Sequence, residues 1–178
     1  DRCCEATIGT SSRSTFQVKK TTGFYPSVQV DTAPVSAAGS AGGVLLTTAA
    51  EVTGLSPAMA RALDGWRKPA AVHHPAKVLT DLAVTLALGG DCLADAAVIR
   101  SEADVYGPVG SEATISRTIT ALAADAHRVL KQVVAARRAA RARAWALAGE
   151  RAPTHGVTAT DPLIVDLDAT LITAHSDK

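Results

Sequence analysis

Apolar residues along most of this chain recur at helical spacing rather than in strict alternation. Val44, Leu45, Ala49 and Val52 form one such stripe, which predicts an inward-facing helix starting near Val44. Gly54 follows as a C′ residue, and Ser56-Pro57 offers an N-cap with proline at the first helical position, so the pattern reads helix, tight turn, helix. Pro75 to Leu88 carries Val78, Leu82 and Leu86 and closes on Gly89-Gly90, after which Asp91 caps a short helix through Ile99. Gly107-Pro108 marks a loop. Ser111 caps the next helix, which runs to about Ala124 with Ile115, Ile119 and Leu122 inward, and Ala126 to Gly149 forms a long final helix. The pattern changes only near the end: Leu163-Ile-Val-Asp-Leu-Asp-Ala-Thr-Leu-Ile-Thr reads as an apolar strand.

Residues 1–22 are rich in Ser and Thr without an apolar period and are expected to be an unstructured leader. Gly23 to Gly43 contains Pro26 and Pro34 and is expected to be extended, with a short strand at Val28 to Val30. Three parts follow: a leader over 1–22, a helical region over 23–152, and a linker with the first strand of a further domain over 153–178. Composition supports a mainly α reading. Hydrophobic residues make up 47% of the 178 and charged ones 20%, enough apolar material for one core. Aromatics are only 3% and alanine is abundant, which favours close helix packing over a sandwich of strands. No apolar run approaches the roughly 18 residues of a membrane span, since Asp81 and Asp91 bracket the longest one. The three cysteines, Cys3, Cys4 and Cys92, have neither metal-ligand spacing nor a disulfide pattern, so a reducing, cytoplasmic setting with no membrane is expected.

The net charge of +1 conceals a local concentration: His127 to Arg151 holds seven Lys or Arg against one acid, Glu150. On a helical wheel Val129, Val133, Ala136, Ala140, Ala144 and Leu147 fall within roughly 80°, and Lys131, Arg137, Arg138 and Arg141 occupy a neighbouring arc of roughly 120°. Such a face suits DNA phosphates, which cationic side chains neutralise without reading sequence. A solvated helix face accounts for the same pattern. Two segments are candidates for helix-turn-helix contacts with bases: Ala49 to Arg61, with Met59 and Arg61 on its second helix, and Thr114-Ile-Ser-Arg-Thr, which brings Arg117. An ordinary helical hairpin is the more common origin of either pattern.

On a strand Asp166 and Asp168 share one face, about 7 Å apart. Paired carboxylates there suggest divalent-metal or phosphoryl chemistry, though Mg²⁺ takes about six oxygen ligands and this segment offers few. Asp166-Leu-Asp-Ala-Thr also fits the D-x-D-x-T nucleophile pattern of haloacid-dehalogenase-type phosphatases, but only ten residues follow Asp168, too few for the rest of that machinery. The plain alternative is a strand end with both acids exposed at a turn.

Five blocks taken together narrow these choices: Thr22-Gly-Phe-Tyr-Pro-Ser-Val-Gln-Val-Asp, Trp66-Arg-Lys-Pro, Leu88-Gly-Gly-Asp-Cys-Leu-Ala-Asp-Ala-Ala-Val-Ile-Arg, Trp145-Ala-Leu-Ala-Gly-Glu, and Asp166 through Lys178. In this order they resemble the DDE-class transposases of bacterial insertion sequences, and among them the group named after element thirteen-eighty. The resemblance runs from about Thr22 to the end. It implies a helical N-terminal region that engages element-end DNA, followed by an RNase H-like α/β catalytic domain that holds two Mg²⁺ ions on three acids and carries out DNA cleavage and strand transfer. Related families present the first acid as Asp-x-Thr, which falls on Asp168-Ala169-Thr170. The resemblance therefore implies Asp168 as the metal ligand and Asp166 as its neighbour or alternate. The expectation is an N-terminal transposase fragment, inactive alone, with DNA and a second copy of itself as partners. The rival expectation is a non-catalytic helical module for DNA binding or dimerisation.

Overall fold

Gly54, at φ +75°, makes the first turn of the helical region: it ends one helix in the left-handed conformation and its carbonyl accepts the Ala58 N–H that opens the next. The computed structural model describes residues 23–27 and 42–166. Among them are seven α-helices: α1 (Gly43–Val52), α2 (Leu55–Leu63), α3 (Pro75–Ala87), α4 (Ala96–Arg100), α5 (Ala103–Tyr106), α6 (Glu112–Ala123) and α7 (Ala126–Ala148). The chain is mainly α, as its periodicity indicates. Because Gly54 serves both helices, α2 starts at Leu55 and Ser56 is not its N-cap. Ser56 is instead buried inside the first turn, its hydroxyl without a partner among the described residues.

The core follows from where small residues permit close approach. Met59 and Leu63 of α2, Ala76 of α3, Leu122 of α6, and Val129 and Ala136 of α7 form one cluster, with Trp66 and Val133 packed against it. Val78, Ala96 and Ile115 join α3, α4 and α6 in a second cluster, to which Ile119 adds. Val84, Ile99, Tyr106 and Val109 form a third around the short α5, which the apolar pattern does not announce. Each fully buried aliphatic side chain of this kind contributes about 1.5–3 kcal/mol.

Two expected details change. The stripe Leu45, Ala49 and Val52 faces outward, Leu45 being 76% exposed, while Gly43, Thr47 and Ala50 turn inward. Gly43 lies against the Tyr106 hydroxyl so closely that no Cβ fits, so the small-residue side of α1 is the one that can dock. Before α4, the capping carboxylate is Asp95 rather than Asp91: it accepts from the backbone N–H of Asp91 at 2.9 Å and of Cys92 at 3.0 Å. His74 caps α3 by accepting the Ala76 N–H at 3.1 Å, with Pro75 at the first helical position.

Leu163 to Asp166 form irregular backbone with exposed side chains, Ile164 at 82%. The expected strand is therefore not formed over its described part, since no sheet edge exists among the described residues to receive it. The rest of that strand, and the short one expected at Val28 to Val30, lie outside the described residues.

Candidate nucleic-acid interface

Among the described residues the buried Lys77–Asp81 ion pair satisfies itself internally, which directs attention to the exposed charge. Lys77 and Asp81, one turn apart on α3, meet at 2.6 Å with both side chains almost inaccessible. Lys77 also donates to the Tyr106 carbonyl at 3.1 Å and lies 4.5 Å from the Tyr25 ring centre, and the Tyr25 hydroxyl donates to Asp81 at 3.0 Å. Burial pushes the Asp81 carboxyl up and the Lys77 ammonium down, each opposed by the partner's charge. Burial and the Asp81 charge push the Tyr25 hydroxyl far above its ordinary range, so it remains a donor. This group ties the 23–27 segment to α3 and α5. It has no open face and reads as a structural lock.

The cations proposed from the pattern stand differently. Arg61, Arg117, Lys131, Arg137, Arg138 and Arg141 are all exposed, and none forms an ion pair among the described residues. On α7, Val129, Ala136 and Ala140 are buried and Val133 and Ala144 half-buried, which leaves the basic arc facing out. Leu147 departs from expectation at 53% exposure. The nine residues of α2 span about 14 Å against about 35 Å for α7. Arg143 reaches the end of α1, its Nε donating to the Val52 carbonyl at 3.1 Å. Leu130, Val134 and Trp145 share the outward face with the arginines, and the Arg141 guanidinium lies 6.0 Å from the Trp145 ring centre.

The first helix-turn-helix candidate loses a reader, because Met59 is buried in the core and, of the two proposed readers, only Arg61 faces outward on α2. Arg117 lies on the exposed side of α6, where Ser111 accepts the Thr114 N–H as the predicted cap. Its Nη2 donates to Thr114 Oγ1 at 3.2 Å. Arg117 also borders a groove of about 460 Å³ between α6 and the loop from Trp66 to Pro75, together with Lys68 and His73. Sequence reasoning did not single out Lys68 or His73. The signal for Lys68 was the Trp66-Arg-Lys-Pro block, whose spatial neighbour only the fold supplies, and His73 had none.

Asp166 is exposed at the edge of the described residues, and Asp168 lies outside them, so their mutual geometry is not part of the site described here. The one grouping of three metal-ligand types among the described residues is Asp91, Cys92 and Asp95. There the backbone N–H groups of Asp91 and Cys92 hold the Asp95 carboxyl below its usual range, and the group acts as a helix cap. No helix among the described residues is long and apolar enough to cross a membrane.

The family model described as transposase DDE domain group 1 matches residues 20–178. No curated protein and no solved structure matches the chain. The matched span takes in the Tyr25 lock, every helix, the cationic surfaces and the Asp166–Asp168 motif, and the chain belongs to the transposase DDE domain group 1 family.

Proposed function

We propose that residues 23–152 grip insertion-sequence DNA for transposition, and that 153–178 form a linker and the first strand of a catalytic domain of the thirteen-eighty type. The observation that carries this reading is that all six proposed DNA-contacting cations are exposed and without an acidic partner among the described residues. Family membership makes DNA the natural polyanion for them. In this reading Lys131, Arg137, Arg138 and Arg141 bind backbone phosphates, Arg61 and Arg117 add contacts, and Asp168, beside Asp166, serves as the first acid of a divalent-metal centre for cleavage and strand transfer.

DDE transposases generally use divalent ions, which activate the attacking oxygen and stabilise the leaving one. The divalent-metal chemistry in this reading rests on family membership.

The test is fluorescence anisotropy of a labelled duplex carrying the element end, titrated with the full chain at several salt concentrations. Binding should weaken linearly in log–log form, and Arg137→Ala/Arg138→Ala/Arg141→Ala should lower that slope by about three. Salt-independent binding, or a triple variant that binds like the parent, would sink the reading. A second reading, self-association through α7, is favoured by the exposed Leu130 and Val134. Sedimentation would show a dimer that Leu130→Glu dissociates, and a concentration-independent monomer would exclude it.

A further inference from the structure

The exposed cations do not all share one surface. At about 100° per residue, the α7 arc of Lys131, Arg137, Arg138 and Arg141 is centred about 120° round the helix from Arg128. Arg128 lies on the other flank, its guanidinium 4.5 Å from the Trp66 ring centre. Trp66 in turn walls the groove bordered by Lys68, His73 and Arg117, and no Asp or Glu lines that groove. The groove thus opens beside Arg128, away from the arc.

We propose that this groove is a separate DNA-binding site that takes a sugar–phosphate backbone, with Lys68 and Arg117 holding phosphate oxygens. The inference rests on the reading of the chain as a DNA-binding one, which already counts Arg117 among its contacts, and adds Lys68 and the groove the two residues share. Three features fit a backbone better than a free anion. The two cations come from different elements, the 66–75 loop and α6, so charge is presented from both sides. Ala71, Val72 and Leu122 also line the groove and give it apolar surface suited to deoxyribose. The Arg117 guanidinium is already held by its bond to Thr114, which leaves further N–H groups for phosphate at reduced ordering cost.

The chain's two tryptophans allow a direct test, since Trp66 walls the groove and Trp145 stands beside Arg141 on the α7 face. In the full chain carrying Trp145→Phe, an unlabelled duplex should change Trp66 emission over the concentration range in which anisotropy reports binding. Adding Lys68→Ala/Arg117→Ala should abolish that change and lower the salt slope by about two. In the Trp66→Phe chain the Trp145 signal should persist with the same two alanines present. Duplex binding with silent Trp66 emission, or a salt slope indifferent to Lys68 and Arg117, overturns the groove while leaving the α7 reading intact. A chain that binds no duplex by anisotropy overturns both.

Discussion

At Asp81 a carboxylate 1% exposed is held by an ammonium and a phenol, and the energetics of that residue are those of a buried pair. Removing one member strands the other in low dielectric, so Asp81→Ala should cost about 3–5 kcal/mol in urea unfolding. Lys77→Met/Asp81→Leu together should cost much less than the sum of the single changes. His74 provides a pH-dependent counterpart. Its Nδ1 accepts the Ala76 N–H, and its Nε2 lies 3.5 Å from Asp64. Burial holds its pKa below the ordinary value, more than the Asp64 contact raises it, and protonating Nδ1 would remove the cap of α3. A folded pKa below the unfolded one means that the unfolded chain takes the proton first. The His74 contribution is therefore present above about pH 6.5 and lost as the pH falls below it. Melting temperature should drop on acidification through that window, and less so in His74→Gln, which has no group to titrate.

At the scale of elements, α1 and α7 show that an apolar stripe and a buried face need not coincide. Docking of α1 depends on absent atoms, because a Cβ at Gly43 would collide with the fully buried Tyr106. Gly43→Ala should lower stability by about 1–3 kcal/mol in chemical denaturation, despite alanine's better helix propensity. A stable Gly43→Ala variant would mean that α1 is not seated on α5. On α7, alanine at 137, 138 and 141 replaces exposed side chains in a helix, so folding stability should stay within about 0.5 kcal/mol while duplex affinity falls. That separation marks the arginines as contact residues rather than scaffold.

For the molecule as a whole, the cations of α7 and those of the groove lie on different flanks, and in the proposed reading both bind DNA by charge carried on side chains. Duplex binding should accordingly survive EDTA unchanged at constant ionic strength. A strict Mg²⁺ requirement would instead place the dominant DNA contact at the Asp166–Asp168 motif. This whole-molecule arrangement also decides which proposed readers survive. Arg61 and Arg117 remain outward, whereas Met59 is consumed by the core.

The residue pattern by itself determined the mainly α character, the Gly54 turn, the Ser111 cap, the bounds of α6 and α7 to within a residue or two, and the basic arc beside a packed face. These are local properties, set by spacing and by capping chemistry within a few residues. The resemblance blocks likewise contained the family to which the chain belongs. Which side of α1 turns inward, the lock of Tyr25, Lys77 and Asp81, the exposure of Leu147 and the meeting of Lys68 with Arg117 at one groove were decided only by tertiary structure. Each depends on a partner far along the chain, such as Tyr106 opposite Gly43, and helical periodicity contains no information about which distant residue will fill a given space.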